Sequence, residues 1–158
     1  MFWNLEDMPA KIYKGRFVIA LLSAALLLMS GCKKKVEEIQ RNLAQEYFDA
    51  NVINKDIVVH LATNNGTDLT SQYNGYVFKL LKNTYLDGPL QATIGGTTYT
   101  GSWSCNDDYG KLTITLPNTP TPFIFLTREW RFVKKTVPIM ELAPWGTTDP
   151  IVLHMERL

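Results

Sequence analysis

The side chains able to do chemistry are few and scattered. Two cysteines, Cys32 and Cys105, and two histidines, His60 and His154, are the candidate nucleophiles, bases and soft ligands. No local motif joins either histidine to Cys105, and a thiol without a cationic neighbour or base stays protonated near neutral pH. Cys105 therefore reads as a small apolar residue packed in a core, the usual place of a free cysteine. Asp107-Asp108 is an acidic pair among turn residues. It lacks the further oxygen ligands that calcium needs and reads as a solvated hairpin tip. Glu129 lies between Arg128 and Arg131, around Trp130. That alternation fits an exposed strand face with cross-strand ion pairs; a polar binding rim is the other reading of the same residues. There is no glycine-rich phosphate loop, HExxH, GxSxG or CxxC pair. No catalytic residue, metal site or cofactor is assigned, and the chain is read as a non-enzyme.

Cys32 has a context that Cys105 lacks. Lys11, Lys14 and Arg16 precede an apolar run from Phe17 to Met29, which ends in Ser30, Gly31 and Cys32. A basic start, about 7–15 apolar residues and small residues before a cut is the layout of a secretory signal. The run falls short of the ~20 residues that span a bilayer, and Lys33-Lys34-Lys35 follows it directly. Met29-Ser30-Gly31-Cys32 resembles the bacterial lipobox, in which a lipid is attached to the cysteine thiol and the chain is cut just before it. The resemblance implies a signal peptide over 1–32, a lipid on Cys32, and attachment of the mature protein to the outer membrane, facing either the periplasm or the cell surface. Lys33, rather than Asp, after Cys32 argues against retention at the inner membrane. Residues 1–7 carry two acids and precede Met8, whose own leader, MPAKIYKGR, is conventionally basic; the start lies at Met1 or Met8.

Of 16 basic and 15 acidic residues, Lys11, Lys14, Arg16, Glu6 and Asp7 precede Cys32, so the remainder balances at 13 of each. A nucleic-acid binder would show a basic face, and that class is excluded. With Cys32 acylated, Cys105 has no disulfide partner, so the domain must be held by its core. The length after the cut allows one domain.

Residues 33–55 read as a tether and short helix. Val36, Ile39, Leu43 and Phe48 fall near helical spacing, and Glu37 and Glu38 sit in the first turn, where acids suit the helix dipole. From residue 56 onward the texture is β. Eight strands are expected: Asp56–Thr63, Gly75–Leu81, Thr84–Ile94, Thr97–Cys105, Lys111–Leu116, Phe123–Lys135, Pro138–Leu142 and Ile151–Arg157. Turn residues separate them, Gly95-Gly96 being the plainest hairpin signal. Asp87-Gly88-Pro89 falls inside the third run and could split it. Tyr99, Gly101, Trp103 and Cys105 share one face of the fourth strand, Leu112, Ile114 and Leu116 one face of the fifth, and Ile151, Leu153 and Met155 one face of the last. The fold class expected is all-β: an antiparallel up-and-down barrel of about eight strands over 56–158, preceded by a short helix.

The order of signals after Gly66 resembles the lipocalin-like lipoproteins of Bacteroidota. It is carried by Gly66-Thr67-Asp68-Leu69-Thr70, Tyr73-Asn74-Gly75-Tyr76-Val77-Phe78, Ala92 and Gly95-Gly96, Gly101-Ser102-Trp103, Leu112-Thr113-Ile114, Leu126 with Trp130, Ile139-Met140-Glu141-Leu142 and Leu153-His154-Met155-Glu156-Arg157. A lipocalin usually has its Gly-x-Trp near the first strand; here the triplet is mid-domain. The resemblance implies a small barrel with an internal cavity for a hydrophobic molecule, lined by Tyr76, Phe78, Tyr99, Trp103, Phe125 and Trp130. The same aromatics could instead fill the barrel as core. In that case the chain is a structural or interaction module that docks an envelope protein.

Overall fold

A computed structural model of the protein describes residues 34–158; residues 1–33, on which the expected signal peptide and the lipid site at Cys32 fall, lie outside the described residues. The chain divides at Gln40/Arg41 into two units, and the second, Arg41–Leu158, contains the whole β-region. Helix α1 covers residues 34–51, so the second unit takes in its C-terminal part.

Nine strands come after the helix: β1 (Ile57–Asn64), β2 (Thr67–Asp68), β3 (Val77–Leu80), β4 (Asp87–Ile94), β5 (Thr97–Cys105), β6 (Lys111–Thr115), β7 (Arg128–Lys134), β8 (Ile139–Pro144) and β9 (Ile151–Arg157). Setting aside β2, a two-residue strand folded back on the end of β1, eight strands pair in chain order. β9 returns to β1 and closes the sheet. Every named strand pairing is antiparallel, so the architecture is an up-and-down β-barrel of eight strands, as the sequence pattern predicts. Short loops make this possible, because a two-residue hairpin suffices between antiparallel strands. Gly95 and Gly96, at φ +53° and +82°, supply the double positive φ that such a turn requires between β4 and β5.

The expected faces are the observed ones. Leu112 and Ile114 of β6 point inward, as do Ile151, Leu153 and Met155 of β9 and Trp103 of β5; the alternate residues, Ser102, Thr113, Val152 and His154 among them, are less buried. Closure removes the free edges that an open sheet would expose.

Two segments stop the ends of the barrel. At the end where β1 begins, the C-terminal part of α1 lies across the opening. Phe48 of the helix and Val52 and Ile53 just after it are buried, each worth about 1.5–3 kcal/mol when fully removed from water. Three polar ties hold the helix there. Lys82 Nζ donates to Asp49 Oδ1 at 2.8 Å, Arg157 donates to Asn51 Oδ1 at 2.9 Å, and the Val137 N–H donates to the Tyr47 hydroxyl oxygen at 3.1 Å. At the opposite end, a 3-10 turn (Thr70–Tyr73) and a second helix, α2 (Pro122–Leu126), fill the mouth. The Tyr73 hydroxyl donates to the Pro122 carbonyl oxygen at 2.8 Å and joins them.

α2 corrects the expectation of a continuous strand over Phe123–Lys135. Pro122 starts a helical turn well because its fixed φ suits the first position and its missing N–H is no loss there. One turn then places Phe123 and Leu126 on the same side, both buried, and leaves Ile124 outside. The third strand is also shorter than expected. Thr84 closes a loop on Asp87, whose carboxylate accepts from both its backbone N–H and its hydroxyl, so β4 begins only at Asp87.

Candidate functional site

Of the six aromatics proposed from sequence as a ligand lining, Tyr76, Phe78, Trp103, Phe125 and Trp130 are buried and Tyr99 is half-buried. Their neighbours are other parts of the chain. Phe123, delivered by α2, sits 5.4 Å from Tyr76 and 5.2 Å from Tyr99, ring centre to ring centre. Phe125 lies 5.6 Å from Trp130, and Tyr76 lies 6.0 Å from Phe78. These are ordinary aromatic packing distances. Both indoles are satisfied internally: Trp103 Nε1–H donates to the Leu81 carbonyl at 2.7 Å, and Trp130 Nε1–H to the Leu126 carbonyl at 2.9 Å. An eight-stranded barrel is only just wide enough to be filled by its own side chains or to hold one small ligand. The same core holds Phe123, Leu90, Ala92, Ile114, Leu142 and Leu153, all at most 2% exposed.

Open apolar space lies instead at the rim beneath α1. A groove of about 270 Å³ runs between the helix and the barrel end. Leu43, Ala44, Tyr47 and Phe48 form its helical side; Tyr109, Phe132 and Met140 form the barrel side, with Lys135 at the edge. Phe48 is the shared wall. It packs 5.1 Å from Tyr109, 5.6 Å from Trp103 and edge-on to Phe132 at 6.2 Å. Leu43 is 60% exposed, so one lip of an otherwise apolar groove is wet. The Tyr109 hydroxyl donates to the Tyr85 carbonyl at 2.7 Å, which turns its polar end away. Burial pushes its pKa up to about 12. Sequence reasoning named neither Met140 nor Tyr109 as a site residue. The sequence marks Leu43 and Phe48 only as apolar positions of a helix, and how far the barrel end covers them is not written in a local pattern.

A second, more open groove of about 640 Å³ lies on the outer face of β4, β5 and β6. Its walls carry hydroxyls, among them Thr100, Ser102, Ser104, Thr113 and Thr115, and one carboxylate, Asp87, already engaged by Thr84.

The remaining candidates of the sequence are dispersed. Cys105 is partly buried at the end of β5, and burial pushes its thiol up to about 12, so it is protonated and unreactive at neutral pH. His60 and His154 stack on the outer face of β1 and β9 with ring centres 6.4 Å apart, and His60 Nδ1 lies 3.1 Å from Glu156 Oε2. Asp108 accepts from the Gly110 N–H as a turn residue. Glu129 meets Lys111 across the strands at 2.7 Å. Among the described residues no group of three or more His, Cys, Asp or Glu side chains is set to hold a metal ion. Among them, too, no helix is long and apolar enough to cross a membrane.

Comparison of the chain with protein-family models, curated proteins and solved structures returned no match.

Proposed function

We propose that this chain is a lipid-anchored envelope protein that binds a small hydrophobic molecule at the rim of its barrel rather than inside it, and carries out no chemistry. In this reading the chain is cut before Cys32, acylated there and held at the outer membrane. The support for the address is the run of signals that ends at Met29-Ser30-Gly31-Cys32. The observation that carries the binding reading is the contrast between the two apolar spaces. The aromatics that could have lined an internal cavity pack on one another and on Phe123, whereas the groove under α1 keeps an apolar wall open to solvent. A pocket that is concave, mostly apolar and edged by a single polar group is the usual form of a small-molecule site.

The packed interior also favours a second reading, an interaction module that docks an envelope protein with its outer surface. Native mass spectrometry separates the two. The protein is extracted gently from its own host membranes and weighed before and after denaturation. One small molecule per chain, lost on unfolding and absent from a Phe48→Ala variant, is the expected result. A bare mass in every preparation would overturn the carrier reading in favour of the module. In the same sample, the tryptic fragment that begins at Cys32 carries the added mass of acyl chains, and a Cys32→Ser variant keeps its leader; an unmodified Cys32 in the mature protein would overturn the anchor.

A further inference from the structure

Lys135 stands at the edge of the rim groove with no acidic partner among the described residues. Its neighbour in sequence, Lys134, pairs with Glu141 at 3.5 Å. Lys135 Nζ meets only the Asp108 carbonyl oxygen, at 3.5 Å, and lies 5.8 Å from the centre of the Phe132 ring. The carboxylate of Asp108 accepts from the Gly110 N–H, and that of Asp49 pairs with Lys82. The groove thus has a free ammonium at one edge and an apolar trough between Phe48, Phe132 and Met140.

We propose that this groove takes a single unbranched alkyl chain ending in a carboxylate, that is, a free fatty acid, with the carboxylate on Lys135 Nζ and the chain laid across Phe48, Phe132 and Met140. This rests on the rim-groove reading above and names its ligand class. Three features select the occupant. A volume of about 270 Å³ is just below the ~300–1,000 Å³ of small-molecule sites, which suits one alkyl chain better than the two of a phospholipid. One ammonium, a point charge without the bidentate fork of an arginine, matches one negative charge better than a phosphate monoester. Beyond Lys135 the walls offer a polar head only the Tyr47 hydroxyl, which accepts from Val137 and keeps its O–H to donate to a carboxylate, because the Tyr109 hydroxyl donates to Tyr85.

The test is photolabelling of the full chain in a sterol-based detergent, which supplies no alkyl chain of its own. The probes are dodecanoic acid and dodecanol, each carrying a diazirine on the chain. The acid labels peptides that contain residues 43–48 and 132–140, and unlabelled dodecanoate suppresses this. Lys135→Gln, a change at an accessible side chain, weakens labelling by the acid about tenfold, the worth of one charge-assisted hydrogen bond. The alcohol labels wild type only as weakly as the acid labels that variant. Equal labelling by acid and alcohol, unchanged in Lys135→Gln, would overturn the carboxylate assignment and leave the groove as a binding site. No labelling of these peptides by either probe would overturn the groove itself.

Discussion

Trp103 is held both by its area and by its indole N–H. The side chain is 1% exposed, packs on Phe48 and donates to the Leu81 carbonyl at 2.7 Å. Replacing it with Phe keeps most of the area but leaves that carbonyl without its donor, which costs about 1–3 kcal/mol. The urea midpoint of Trp103→Phe is expected to fall with an unchanged m-value. Gly101, two residues earlier, has a different constraint. A Cβ there would lie 2.0 Å from the Thr115 carbonyl oxygen, so the strands could not approach as they do. Gly101→Ala is expected to destabilise by about 1–3 kcal/mol, as overpacking does, in the same assay. The Gly-Ser-Trp triplet is therefore legible in the sequence as a unit, although its role is to seat an indole against a bent sheet. Cys105 and Tyr109 set a pH dependence. Burial raises them from 9.0 and 10.0 to about 12, so the folded state keeps protons that the unfolded chain gives up earlier. Their contribution to stability is whole below about pH 9 and is lost as pH rises toward 12. Urea midpoints should fall between pH 8.5 and 11, less steeply in Cys105→Ala; a flat profile would contradict this. Iodoacetamide at pH 8 should alkylate Cys105 only in denaturant.

At the scale of elements, the two helices do different work. α2 uses five residues to deliver Phe123, Phe125 and Leu126 into one mouth of the barrel. Phe123→Ala is expected to cost about 3–5 kcal/mol and to open a pocket between Tyr76 and Tyr99. An apolar dye that wild type ignores should then bind to the variant, with enhanced fluorescence; no gain in binding would contradict the claim that Phe123 is the plug. The sequence hides this helix because Phe123, Ile124, Phe125 and Leu126 form a short apolar run, and such a run cannot be told from a buried strand by its period. The strands were far more legible. β5 and β9 have the bounds expected from alternation, because one face of each meets the core and the other water. α1 was legible as a helix, and its lip at Leu43 was not. Exposure there depends on how far the barrel end reaches along the helix, which no local pattern records. The ion pair between Lys82 and Asp49 is a surface tie, with both side chains about one third exposed, and Asp49→Asn should cost no more than about 1 kcal/mol.

For the molecule as a whole, closure and filling decide what the barrel can be. The seam between β1 and β9 carries seven facing residue pairs with a bulge between Val59 and Leu61, whereas the seam between β1 and β3 carries one, Ile57 with Phe78. The second seam is backed by the segment that follows α1, through the Ile53–Leu80 bridge and the Asn54 N–H to the Leu80 carbonyl at 2.8 Å. Amides of β1 and β3 that face this seam should exchange with solvent faster than those of β1 facing β9, since local opening follows the weakest pairing; equal protection would contradict it. The interior side chains, from Phe78 and Trp103 to Trp130 and Leu153, are buried, and the rim groove under α1 is the place proposed above for a ligand. The most direct test is an NMR titration of methyl-labelled protein with dodecanoate. Shifts and intermolecular contacts are expected at the methyls of Met140 and Leu43, with those of Ala92, Ile114 and Leu153 unmoved; contacts from dodecanoate to the interior methyls, with Met140 silent, would contradict binding at the rim.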